Sequence, residues 1–345
     1  MKFFLASNSA QGFISEFKNC YEPKDDWYAY IIKGGPGTGK SSFMRKLVKK
    51  AEEKGLEVLK IYCASDPSSL DGVLIPKLKT AVLDGTAPHT VDPTFPGVSE
   101  CILNFGDFWD ENLLKKQGRE IIKLTTENKK IHKSVSEQVV LAGGLMEEDL
   151  KASQRLINSK ETEKLASTLI NEYIPNTNKN GKIINRFLGG ITPKGVLYFG
   201  DSILAKKTIS ILDPVGSVSN AVFEQLKEEG VKRGFDTVVF KNPVLPNTLI
   251  DGIYLPELNI CFLREYEHQK AVADKTFFAK DYMVTTAFME EKGNACLVSQ
   301  LLESSAKLLR QAKENHDQLE KCYISAMDFE SLNSFCDLQV EKIVK

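Results

Sequence analysis

At 345 residues, 42% hydrophobic and 26% charged, the chain has the length of roughly two globular domains and enough apolar content to give each a core. Lys+Arg 45 against Asp+Glu 46 leaves a net charge of −1, so no basic surplus points to nucleic acid or an acidic membrane surface. No apolar run approaches the roughly 20 residues of a membrane span, and the apolar stretch in Met1–Ala6 is too short for a signal peptide. The seven cysteines are scattered, odd in number and never spaced CxxC, which suggests neither a disulfide framework nor a zinc site. A reduced, cytoplasmic setting is the expectation.

In chain order, the first strong signal is Trp27-Tyr28-Ala29-Tyr30-Ile31-Ile32, aromatic and β-branched as a buried parallel strand should be. Residues 34–41 follow as Gly-Gly-Pro-Gly-Thr-Gly-Lys-Ser, a GxxxxGK[ST] motif. After it, Phe43, Leu47, Val48 and Ala51 recur at helical spacing, and Gly55 is a helix stop. Strand, loop and helix are the setting this motif needs. Glycines let successive backbone N–H groups turn inward onto phosphate oxygens, and the helix N-terminus favours the anion. The expected nucleotide-binding set is therefore Gly34, Gly35, Pro36, Gly37, Thr38, Gly39, Lys40, Ser41 and Ser42, around ATP or GTP with Mg²⁺. Lys40 is expected on the β- and γ-phosphates and Ser41 on the metal. Thr38 reads as a backbone contributor.

A carboxylate at the end of a neighbouring strand should complete the Mg²⁺ shell. Leu78–Asp84, an apolar run ending in Asp and followed by Gly85, supplies Asp84. The competitor is Asp66, after the strand-like Leu56–Cys63, but Ser65-Asp66-Pro67-Ser68-Ser69 already reads as a turn. Thr86-Ala87-Pro88-His89 comes next, placing His89 where it could orient water or touch phosphate; a surface-loop histidine is the alternative. A long amphipathic helix is expected from about Asp110, with Lys115, Lys116 and Arg119 on a solvated face. Asn176–Gly181 is polar and turn-forming and reads as a linker between residues 1–175 and 182–345.

The chain also matches itself. Phe4-Leu5 and Gly12 recur as Phe187-Leu188 and Gly195; Ile32, Gly37, Leu47 and Gly55 recur as Ile211, Gly216, Leu226 and Gly234. Asp71-Gly72, Pro76, Leu78 and Leu83 recur as Asp251-Gly252, Pro256, Leu258 and Leu263. His132 and His316 fall at similar places in the two helical tails, the second of which spans Val298 to Leu319. These tails read as packing surfaces, with a protein partner or a homo-oligomer as the sharper alternative. In the second copy, the Lys40, Ser41 and Asp84 positions hold Ser219, Asn220 and Arg264, so a second triphosphate site is not expected.

FLASNSAQGF, IIKGGPGTGKSSF, SLDGVLIPKLKTAVLDGTAPHTVDP and RFLGGITPKGV together resemble a family of bacterial tandem P-loop ATPases of unknown physiological role. The resemblance covers nearly the whole chain and implies ATP binding and ATPase activity, without naming a substrate. Members usually carry a second intact GxxxxGKS in the C-terminal half, and this chain departs from them there. The expected fold is α/β: two tandem P-loop NTPase-like domains, each a mostly parallel sheet with a helical appendage. The leading expectation is nucleotide hydrolysis coupled to rearrangement of the two halves. A small-molecule or nucleotide kinase and a non-hydrolysing nucleotide-sensing scaffold are the rivals, kept open because no Glu follows Asp84 as the usual ATPase base.

Overall fold

The computed structural model describes residues 1–285 and 293–345. It is α/β, with two six-stranded mixed sheets flanked by helices. The chain forms two compact units. The first comprises Met1–Ala6, Phe17–Val135 and Lys307–Lys345; the second comprises Ser7–Glu16 and Ser136–Ala306.

The sheet of the first unit contains β1 (Lys2–Phe3), β4 (Tyr28–Lys33), β5 (Leu59–Tyr62), β6 (Leu70–Ile75), β7 (Thr80–Asp84) and β8 (Glu100–Asn104), in the order β1-β5-β6-β7-β4-β8. β4 runs parallel to both neighbours, and its inner residues Ala29–Ile32 are buried on both faces, which explains its unbroken apolar run. The sheet is not mostly parallel as expected: β6 pairs antiparallel with both β5 and β7. The reason is connection length. Only Pro76–Lys79 separates β6 from β7, far too little chain for the crossover that parallel strands require. A 3₁₀ turn with Lys79 in the left-handed region closes it.

The second sheet repeats this plan. Its strands are β9 (Ile183–Arg186), β12 (Lys207–Leu212), β13 (Thr237–Lys241), β14 (Ile250–Leu255), β15 (Ile260–Glu265) and β16 (Lys275–Phe278), ordered β16-β12-β15-β14-β13-β9. Equivalence extends to register: Gly72 faces Leu83 in one sheet and Gly252 faces Leu263 in the other. Each repeat also carries a hairpin, β2–β3 (Ala6–Ser9, Gly12–Ser15) and β10–β11 (Gly189–Thr192, Gly195–Tyr198). Ser9 Oγ donates to Gly12 O as Thr192 Oγ1 donates to Gly195 O.

The helices are α1 (Lys40–Glu53), α2 (Glu111–Lys116), α3 (Gly118–Gln154), α4 (Ser159–Tyr173), α5 (Ser217–Lys232), α6 (Ala295–Ile324) and α7 (Phe329–Ile343). Helix begins near Asp110 as expected, with Asp110 as the cap of α2, but it is not one long helix: Gln117 separates α2 from α3. The compact units do not follow the cut between residues 175 and 182, because the last helix of each repeat is exchanged. α7, at the end of the second repeat, places Leu332, Cys336, Val340 and Ile343 in one core with Phe43, Met44 and Leu47 of α1 and Tyr30 and Ile32 of β4. Reciprocally, α4, at the end of the first repeat, places Leu165, Ala166, Leu169 and Ile170 in one core with Ile209 and Ile211 of β12 and Val222, Phe223 and Leu226 of α5. Helical periodicity announces an apolar face but not which sheet will cover it. The β2–β3 hairpin belongs to the second unit as well: Ala10 N donates to Val244 O and Ser7 Oγ to Pro243 O.

The histidine correspondence fails. α4 and α7 begin 170 residues apart (329 − 159), so the counterpart of His132 lies near residue 302, not at His316. The two histidines interact instead. Burial, reinforced by the neighbouring His316, lowers the pKa of His132 below its usual 6.5. His316 in turn lies 3.5 Å from Glu320, whose pKa is lowered by His316 and, more weakly, by Lys313.

Two outcomes follow. Leu332→Ala should cost the first unit about 2–5 kcal/mol through the cavity it leaves, and Leu169→Ala should do the same to the second. Hydrogen exchange should show lost protection in β4 and α1 for the former and in β12 and α5 for the latter; the opposite pattern would contradict the helix exchange. For His132, a lowered folded pKa means that its contribution to stability is intact above about pH 6.5 and is lost as pH falls through the folded value. His132→Gln should therefore flatten the acid limb of the thermal stability–pH curve below 6.5 and leave the curve above pH 7 unchanged in slope.

Candidate functional site

The loop from Gly34 to Gly39 joins β4 to α1. Gly37 and Gly39 have φ of 68° and 88°, a region nearly closed to residues with a Cβ. Gly35 is needed for space: a Cβ there would lie 2.5 Å from the Tyr323 ring of α6. Thr38 Oγ1 donates to Gly35 O at 2.8 Å and is buried, tying the loop to itself. Pro36 is half-buried, and Ser42 is exposed on α1, where it contributes no described side-chain contact to the loop.

Lys40 is the first residue of α1. Its Nζ donates to Gly35 O at 2.7 Å and Gly34 O at 3.3 Å and lies 3.6 Å from Asp84 Oδ2. Asp84 ends β7, in register with Ile32 of β4, so the two central strands deliver it beside the loop. Its other oxygen, Oδ1, accepts from Thr86 N (2.9 Å) and Thr86 Oγ1 (2.6 Å), which fixes the carboxylate. Ser41 Oγ accepts from Leu70 N at 3.0 Å, anchoring the start of α1 to the start of β6. Asp66, the rival acid, is used up locally: Ser68 and Ser69 donate to it and Lys313 lies 3.5 Å away.

One member of the site was not anticipated. Asp71 of β6, only 9% exposed, joins Asp84 and His89 in a cluster whose donor atoms all lie within 4.8 Å of one another. Burial, with the Asp84 charge beside it, pushes the Asp71 carboxyl up to about 7. Its signal was present in the repeat, where Asp71-Gly72 matches Asp251-Gly252, but repetition alone does not say what a residue does. His89 is 8% exposed rather than a surface-loop residue; its ring stacks on Phe17 at 4.3 Å, and its Nε2 has no hydrogen-bond partner. Burial lowers its pKa against the pull of Asp84. Asp84 thus joins Lys40 to the Asp71–His89 cluster, and Ser41 is tied to Leu70, the residue before Asp71.

The second unit places the same positions together with different chemistry. Arg264 stands in register with Ile211 as Asp84 stands with Ile32. Asn220 Oδ1 accepts from Ile250 N at 2.8 Å, the counterpart of the Ser41–Leu70 bond. Arg264 Nη2 lies 2.6 Å from Asp251 Oδ1, its Nε donates to the same oxygen at 3.0 Å, and both side chains are fully buried. Asn242 and Tyr198 donate to the remaining lone pairs of Asp251.

The loop itself is shorter. α5 begins at Ser217, with Gly216 as its cap, whereas the repeat register places the counterpart of Lys40 at Ser219. Four residues, Asp213–Gly216, do the work of six. The Asp213 carboxylate accepts from Gly216 N and Ser219 N, both at 2.8 Å, so the helix N-terminus that could receive a phosphate holds the chain's own anion.

The chain was compared with protein-family models, curated proteins and solved structures, and no match was found.

The buried pair in the second unit yields an expected outcome. Arg264→Ala leaves the Asp251 carboxylate buried and uncompensated, at a cost of about 3–5 kcal/mol. Adding Asp251→Asn should recover most of that loss in thermal unfolding; a double variant no more stable than Arg264→Ala would show that the pair is not the source of the cost.

Proposed function

We propose that the first repeat is a P-loop nucleoside-triphosphate-binding domain, that it hydrolyses ATP or GTP with Mg²⁺, and that the second repeat is a non-binding copy of the same P-loop NTPase fold. The observation that carries this reading is the meeting of Lys40 with Asp84. A GxxxxGKS loop sits between β4 and α1, and its lysine lies 3.6 Å from a carboxylate that ends the adjacent parallel strand. That is the relation a phosphate lysine and a metal carboxylate need.

The donor set suits a hard divalent cation. Ser41 Oγ uses one lone pair on Leu70 N and keeps a second, while Asp84 and Asp71 bring carboxylate oxygens. Mg²⁺ bound there with a nucleotide would neutralise charge developing on the β- and γ-phosphates. The chain's own residues do the rest. Loop N–H groups of Gly35 and of Gly37 to Ser41 receive phosphate oxygens, assisted by the partial positive charge at the start of α1. Lys40 exchanges the Gly34 and Gly35 carbonyls for the β- and γ-phosphates; those two carbonyl contacts hold it near its working position beforehand. Thr86 keeps Asp84 oriented. Hydrolysis is favoured over simple binding because the acids of this cluster, absent as a set from the second repeat, would hold Mg²⁺ against the transferring phosphate.

In the second repeat, a triphosphate would have to displace Asp213 from two N–H groups, find no lysine at Ser219, and meet Arg264 already committed to Asp251. No helix among the described residues is long and apolar enough to cross a membrane, and the proposed setting is cytoplasmic.

Calorimetric titration with Mg²⁺ and ATP should give one nucleotide per chain, and Lys40→Ala should abolish both binding heat and phosphate release while melting near the wild-type temperature. A ratio near two, or full turnover in folded Lys40→Ala, would overturn the assignment.

A further inference from the structure

We propose that Asp71, Asp84 and His89 form a mixed carboxylate–imidazole site that takes a divalent transition-metal ion, Mn²⁺ in particular, without any nucleotide. The three donor atoms lie within 4.8 Å of one another, and ligands about 2.1 Å from one metal stand about 3 Å apart when adjacent and about 4.2 Å apart when opposite, so a small inward shift of these side chains brings them onto one ion. The second observation is independent of the acids. His89 is nine-tenths buried, its Nε2 has no partner, and a buried imidazole nitrogen left empty is costly unless a ligand completes it. The stack on Phe17 holds the ring in place.

The imidazole also decides the class of ion. Mg²⁺ takes oxygen donors and keeps its waters, whereas an Asp–Asp–His set with a nearby serine hydroxyl suits Mn²⁺ and its later neighbours. His89 thereby differs from a residue that only touches phosphate, and Asp71 gains a counter-charge that Lys40, already shared between Asp84 and two carbonyls, cannot supply alone. The second unit supports this by substitution. There the Asp71 counterpart, Asp251, is neutralised by the guanidinium of Arg264, a built-in cation at the Asp84 position. The proposal concerns the same pocket as the nucleotide reading but requires only the metal.

The test is titration of the full chain with Mn²⁺ alone, read by electron paramagnetic resonance and calorimetry. One Mn²⁺ per chain is expected, with nitrogen coupling from a single imidazole in the wild-type spectrum. Asp71→Asn should weaken Mn²⁺ at least tenfold, and His89→Gln should weaken Mn²⁺ more than it weakens Mg²⁺ in competition. If His89→Gln misfolds because the ring is buried, the wild-type nitrogen coupling still decides the matter. Bound Mn²⁺ without nitrogen coupling, or affinity unchanged by Asp71→Asn, overturns the site. Lys40→Ala separates the two readings: Mn²⁺ binding retained where ATP binding is lost supports both. A wild-type chain that binds Mn²⁺ but no ATP keeps this inference and discards the nucleotide reading; one that binds Mg²⁺–ATP but no Mn²⁺ alone does the reverse.

Discussion

A buried aspartate at the start of β6 and of β14 cannot keep an isolated charge, and the two repeats surround it differently. Asp71 and Asp251 occupy equivalent positions, and an isolated charge at either depth would be too costly to keep. In the second repeat Arg264 answers permanently, two nitrogens on one carboxylate oxygen, and the surroundings close over the pair. In the first repeat the facing position is another acid, Asp84, so two carboxylates share one lysine. Burial beside that second acid lifts the Asp71 carboxyl to about 7, the mark of a pocket short of positive charge. On the proposed reading, that shortage is what a metal ion satisfies, and everything nearby serves it: Thr86 fixing Asp84, Leu70 fixing Ser41, Phe17 fixing His89.

The same contrast accounts for the loops. In the first repeat six residues join β4 to α1, with Lys40 held on two of their carbonyls, and on the proposed reading the loop N–H groups, Pro36 excepted, are left for phosphate. In the second, α5 starts earlier and Asp213 takes the N–H groups of Gly216 and Ser219. An internal carboxylate held by a helix N-terminus is a stable substitute for a phosphate. On the proposed reading, Ser219 at the Lys40 position, Asp213 in the loop and Arg264 at the Asp84 position act together to leave no place for a phosphate.

Local chemistry was legible from residue order. The strand before Gly34, the helix after it, the end of β7 at Asp84 and the register of the repeat are set by nearest neighbours and apolar periodicity. What residue order could not reveal depends on distant contacts. Nothing in the apolar face of α4 or α7 states which sheet it will cover, so the exchange of the two helices was invisible, and with it the composition of the compact units. The antiparallel pairing of β6 and β14 was missed because residue pattern does not separate parallel from antiparallel; only the short connections, Pro76–Lys79 and Pro256–Asn259, do. Asp71 was seen as a repeated residue but not as a site residue, since only folding brings β6 alongside β7 and the His89 loop.

The most direct measurement is a crystal structure of the full chain grown with Mn²⁺ and a non-hydrolysable ATP analogue, with anomalous data collected at the manganese edge. The account predicts one analogue per chain, its phosphates in the Gly34–Ser41 loop and a single anomalous peak among Asp71, Asp84 and His89. Analogue density over Asp213–Asn220, or an anomalous peak away from both Asp71 and Asp84, would contradict it.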